Sequence, residues 1–115
     1  MNNPELKAQH ELNRFFDSAL GIQKERAKGY GESWQHGRAI GITDNIFWIV
    51  TRLQNMEKKL VLLQIKFAEA DDEITQIGLE EMITELHDKI EDDLLDIANF
   101  AGFRWVMNED RRELL

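Results

Sequence analysis

The sequence predicts an all-α protein, an antiparallel bundle of three to four helices with a glycine-rich loop between the first two. Three observations carry this. Apolar residues recur in steps of three and four over long stretches, which places them on one face of a helix. No stretch shows the apolar–polar alternation of a half-buried strand. The single proline, Pro4, lies near the N-terminus and interrupts none of the later patterns. With 115 residues and no internal repeat, the chain reads as one domain over residues 1–115.

The first helix starts at Pro4, with Asn3 as its cap, because a first-turn N–H has no intrahelical acceptor and proline loses nothing there. Leu6, Leu12, Phe15, Phe16, Ala19 and Ile22 give helical spacing to about Arg26. Lys28-Gly-Tyr30-Gly-Glu-Ser-Trp34 then reads as a loop, since glycine opens backbone angles closed to other residues. Thr43 or Asp44 would cap the second helix. Its core face is Ile46, Ile49, Val50, Leu53, Met56, Leu60, Leu63 and Phe67, ending near Ala70. Acids at Asp71, Asp72 and Glu73 suit the start of a third helix, where the dipole is positive. Gly78 would weaken or break it. Ile83, Leu86, Ile90, Leu94, Ile97, Ala98, Ala101 and Trp105 form its expected core stripe.

Composition narrows the function classes. Cysteine is absent, which excludes disulfides, thiolate nucleophiles and cysteine-held zinc. No run reaches the roughly 18 apolar residues of a membrane span, and residues 1–10 hold no apolar signal core. The expectation is a protein of the cytoplasm, or of the host cytoplasm if phage-encoded, with no membrane partner. The net charge of −8 is concentrated: residues 71–96 hold 11 acids and one base, −10, and the rest of the chain holds 11 acids and 13 bases, +2. Duplex DNA is excluded as a partner, because phosphate backbones need a basic footprint.

Within the acidic block, Asp88, Asp92 and Asp96 lie on one side of a helical wheel, joined by Glu85 and Asn99. Acids four residues apart repel by a few tenths of a kcal/mol per pair, and no lysine interleaves on that face. Phe103 continues the same face. A cleft of carboxylates suits Mg²⁺, a hard cation that takes oxygen ligands. The second helix offers a counterpart, with Arg52 and Lys59 flanking Asn55 and Trp48 a turn earlier. Together these would bind phosphate, Mg²⁺ and a base. The competing readings are a solvated surface face and plain interhelical ion pairs. His10, His36 and His87 lack ligand spacing, and no Gly-Lys-Ser/Thr follows the glycines, so no P-loop is present.

Three segments resemble the small helical family called nucleotide modification associated domain 1, found in phages and bacteria. They are Lys28-Gly-Tyr30-Gly31-Glu-Ser33-Trp34, Arg52-Leu-Gln-Asn55-Met56-Glu-Lys-Lys59-Leu60, and Asp88-Lys-Ile-Glu-Asp92-Asp-Leu-Leu-Asp96-Ile-Ala-Asn99-Phe100-Ala. They span residues 26–102. The layout is also similar to all-α nucleoside triphosphate pyrophosphatases of the MazG and dimeric dUTPase type. The resemblance implies a role in nucleotide metabolism or modification and a homo-oligomer, dimer or higher. It implies Mg²⁺ on Asp88, Asp92 and Asp96, and nucleotide contacts from Lys28, Tyr30, Trp34, Arg52, Asn55, Lys59 and Asn99. Asn55 and Met56 stand where the family has an Asp-Lys pair, so the second helix supplies no carboxylate there. The chain is then either a divergent Mg²⁺-dependent pyrophosphohydrolase or a fold without catalysis. The alternative function is a non-catalytic phage or bacterial accessory protein whose acidic helix binds a protein partner.

Overall fold

The computed structural model describes residues 3–30 and 39–112, with side-chain surroundings for 3–25 and 40–110. They form three helices, α1 Pro4–Tyr30, α2 Ala39–Glu69 and α3 Glu73–Arg112. No strand occurs among the described residues.

At the first boundary Asn3 caps α1, its Oδ1 accepting from the Glu5 N–H at 3.0 Å and its carbonyl from the Lys7 N–H at 3.0 Å. The far end departs from the expectation. The helix runs past Arg26 through Gly29 to Tyr30, so Lys28 and Tyr30 belong to its last turn rather than to a loop. One helical glycine costs about 1 kcal/mol, too little to end a long helix by itself. The remainder of that segment, with Ser33 and Trp34, lies outside the described residues. The second helix likewise is already formed at Ala39, which puts Thr43 and Asp44 inside it rather than at its cap.

A short turn joins α2 to α3. Asp72 caps the new helix, its Oδ2 accepting from the Thr75 N–H at 2.8 Å and its carbonyl from the Gln76 N–H at 3.1 Å. Gln76 Nε2 donates back to the Ala70 carbonyl at 3.0 Å, tying the turn to the helix it starts. The Thr75 backbone hydrogen bond, helped by that residue's side chain, holds the Asp72 carboxyl below its ordinary value of 3.8. A lowered folded-state pKa means the stabilisation is complete above the ordinary value and is lost as pH falls through the folded one. Asp72→Ala is therefore expected to melt below wild type at neutral pH, with the gap narrowing under acid. Thermal unfolding from pH 7 to pH 2 checks this, and a gap of constant size would show that the charge contributes nothing. Gly78 does not break α3, and a Cβ there would meet nothing within 4 Å.

Two compact units divide the helices, Phe47–Leu94 and, separately, Met1–Ile46 with Leu95–Leu115. In the first of these, α2 and α3 form an antiparallel hairpin, as the short turn and the Arg52–Asp93 contact both require. Its core lies between two stripes, Ile49, Leu53, Met56, Leu60, Leu63 and Phe67 on α2, and Leu79, Ile83, Leu86, Ile90 and Asp93 on α3, all buried or half-buried. Steps of four and three alternate along both, the 3.5-residue period of coiled-coil packing.

That period corrects the expected stripe of α3. Leu94 is 44% exposed and Trp105 65% exposed, and Ala101 is exposed as well. The stripe passes through Asp93 instead, and beyond it every residue from Leu95 to Phe100 is buried or half-buried. An aspartate at a core position makes the apolar pattern jump to its neighbour, Leu94, while Ile97 and Ala98 of the expected stripe are half-buried as their spacing put them.

In the other unit, Ala19 of α1, Ile42 of α2, and Leu95 and Met107 of α3 are buried. Phe15 and Ile22 flank Ala19 half-buried, whereas Leu6, Leu12, Phe16 and Leu20 of α1 are exposed.

Candidate functional site

The open end of the hairpin, away from its turn, holds the best-defined polar contact among the described residues. Arg52 lies beside the α2 core stripe, one position before Leu53, and Asp93 occupies a core position on α3. The Arg52 Nε donates to Asp93 Oδ2 at 3.0 Å and a terminal guanidinium nitrogen donates to Oδ1 at 2.5 Å. This two-point fork fixes both groups in orientation as well as distance. Burial is lopsided: the Asp93 side chain is 6% exposed and that of Arg52 60%. The carboxylate is thus removed from water, and the guanidinium bridges from it to the surface.

Other predicted residues fall around this pair. Asn55 and Lys59 are exposed on the same side of α2, three and seven residues beyond Arg52. Asp88 and Asp92 are exposed on α3 in the same unit. The α2 segment 47–69 has four bases and two acids, +2, and the α3 segment 73–94 has eight acids and one base, −7. The hairpin therefore sets a weakly basic helix against a strongly acidic one. A shallow depression on α3 is lined by Ile77, Glu81, Met82, Glu85 and Asp88, among others.

Asp96 and Asn99 belong to the other unit and are half-buried. Asn99 Nδ2 is shielded from solvent and has no acceptor among the described residues. The side chains of Lys28, Tyr30 and Trp34 lie outside the described ones.

The fit of these residues to Mg²⁺ follows from helix geometry. Four residues rise ~6 Å along a helix, so Asp88 and Asp96 stand ~12 Å apart on their axis. Ligands must reach within ~2.1 Å of Mg²⁺, so two adjacent rungs can share one ion and three in a row cannot. Consistent with this, no three carboxylates or imidazoles among the described residues group closely enough to hold a metal.

Asp93 is the site residue that sequence reasoning missed. The signal was present: counting 79, 83, 86, 90 in alternating fours and threes lands on 93. A buried acid also requires a partner, and Arg52 is an arginine flanking the opposite stripe. No helix of the described residues is long and apolar enough to cross a membrane. Comparison with models of known families, with curated proteins and with solved structures gave no match.

Proposed function

We propose that the protein binds a (deoxy)nucleotide by its phosphates along the hairpin, in a role of nucleotide metabolism or modification. Arg52 and Lys59 meet the phosphate oxygens, with Asn55 beside them. The observation that carries this reading is the forked Arg52–Asp93 pair, which holds a guanidinium in one orientation on an exposed row of α2. A pre-oriented guanidinium loses little freedom when it meets a planar or tetrahedral anion. Because Asp93 offsets its charge, the net positive charge comes from Lys59. Mg²⁺ enters with the phosphates and meets two adjacent rungs of the ladder within the hairpin, Asp88 and Asp92, waters and phosphate completing its shell. The three-segment resemblance supports the nucleotide class and assigns Lys28, Tyr30, Trp34 and Asn99 to the rest of the ligand. The proposal is of binding. Hydrolysis to monophosphate and pyrophosphate would need a further carboxylate, which Asn55 and Met56 do not supply.

Thermal unfolding in Mg²⁺ with a panel of nucleoside and deoxynucleoside triphosphates tests this. A ligand at 100 times its dissociation constant is expected to stabilise by ~2.7 kcal/mol. Lys59→Ala and Asp92→Asn, both at exposed positions, are expected to remove most of that gain while leaving the unliganded melting temperature near wild type. Pyrophosphate release in the same mixtures reports catalysis. If no nucleotide raises the melting temperature, the proposal fails. The second reading, a non-catalytic accessory protein, would then stand on the seven exposed acids and one base of α3 over residues 73–94, −6, an acidic face suited to a basic protein surface.

A further inference from the structure

The outer face of α2, opposite its core stripe, carries large apolar side chains at exposed positions beside Gln54 and Lys58. Phe47 is 65% exposed, Trp48 69%, Val61 54%, Leu62 60% and Ile65 49%. The rings of Phe47 and Trp48 meet edge to face, with centroids 6.3 Å apart, so they present one joined surface. All these residues lie in the single hairpin unit. Soluble chains rarely leave a row of large apolar side chains open without a partner for it.

The arrangement of that row identifies the partner. Going along the helix, the outer positions are Phe47 and Trp48, then Gln54 and Asn55, then Val61 and Leu62, with Thr51 and Lys58 on the line between these pairs. The steps are seven residues in both directions from the midpoint between Gln54 and Asn55. The pattern therefore reads apolar, polar, apolar from either end, which is the symmetry a helix needs to pack on a reversed copy of itself. A two-fold axis at that midpoint sets Phe47 beside Val61 of the second copy and Trp48 beside its Leu62. It also brings Gln54 to Gln54 and Asn55 to Asn55. An isologous interface demands such self-complementarity, and a central polar pair fixes register. A shallow depression lined by Gln54, Glu57, Lys58 and Val61 lies on the same face.

Charge and area agree with this face. Glu57 and Lys58 cancel, so two copies of it do not repel. The outer face of α3 carries Glu81, Glu85, Asp88 and Asp92, and pairing it with itself would set like charges together. With full side-chain areas of ~150–200 Å², the five exposed residues offer about 500 Å² per copy, or ~1,000 Å² for a pair, the lower bound for a specific interface.

We infer that the protein forms a two-fold dimer in which the outer face of α2, Phe47 to Ile65, packs antiparallel on the same face of a second copy. The dimer shares Asn55 with the proposed nucleotide contacts, so the experiment is done without nucleotide. Sedimentation of the full chain at ~100 μM is expected to give a dimer. Leu62→Glu, which sets one charge against each Trp48, is expected to raise the dissociation constant by ~100-fold or more, with helix content by circular dichroism unchanged. The chain has no cysteine, so single cysteines report geometry cleanly. Gln54→Cys is expected to form a covalent dimer on mild oxidation, and Thr84→Cys on α3 is not. A monomer at ~100 μM overturns the inference. So does a dimer that Leu62→Glu leaves intact, or one that cross-links no faster at position 54 than at 84.

Discussion

Arg52→Ala is expected to destabilise the hairpin by about 3 kcal/mol, whereas Asp93→Leu is expected to cost almost nothing or to stabilise it. The asymmetry follows from the lopsided burial of the pair. Removing the arginine leaves the Asp93 carboxylate, 6% exposed, without its fork of donors in an apolar layer. Removing the aspartate leaves Arg52, whose side chain is already 60% exposed and can turn fully to water. Leucine at 93 also restores an apolar residue to the stripe of Leu86 and Ile90. The 3 kcal/mol lies at the low end of values for broken buried pairs, because the exposed arginine makes this pair only part-buried. Urea unfolding followed by circular dichroism measures all three forms. The double variant Arg52→Ala with Asp93→Leu is expected to recover most of the loss. If Asp93→Leu proves the more damaging single change, the pair is net stabilising and burial of the carboxylate does not set its energetics. A tolerated Asp93→Leu would leave the orientation of Arg52 as what the aspartate contributes, and loss of nucleotide-dependent stabilisation in that variant would link the pair to the proposed binding.

The second large effect separates two leucines of one helix. Leu86→Ala is expected to cost about 3 kcal/mol and Leu94→Ala under about 1 kcal/mol, although both substitutions delete the same atoms. Leu86 is 7% exposed in the hairpin core and its removal leaves a cavity, whereas Leu94 is 44% exposed and water fills its place. A 3.6-residue stripe running through Leu94 predicts similar costs at both sites, and the 3.5-residue stripe running through Asp93 predicts the difference. Denaturation midpoints of the two variants decide between the periods.

The helical class, the Asn3 cap, the α2 core face and the acidic start of α3 were all legible in the sequence, because each depends on residues within a turn or two of one another. Ile49, Leu53 and Leu63 are buried where their spacing put them. Local signals failed at the helix ends around the glycines. Gly29 and Gly41 are each tolerated inside a helix, since a penalty of about 1 kcal/mol does not outweigh the hydrogen bonds of the turns that continue past them. The aspartate ladder was legible as a charge pattern, and Asp88 and Asp92 do lie exposed on α3.

Asp93 was not legible from its own helix. Alone on α3, an acid among Glu91, Asp92 and Leu94 reads as one more surface charge. It becomes a core residue only because Arg52, 41 positions earlier, reaches it with two hydrogen bonds. By itself, then, the sequence determined the helices, the Asn3 cap, the acidic start of α3 and the charge carried on each face, which are properties of neighbours along the chain. The tertiary structure decided which acid is buried, through which residue the α3 stripe runs, and which α2 face is left open. Those outcomes depend on what the opposite helix presents, and a buried charge is stable only where a counter-charge from another element meets it.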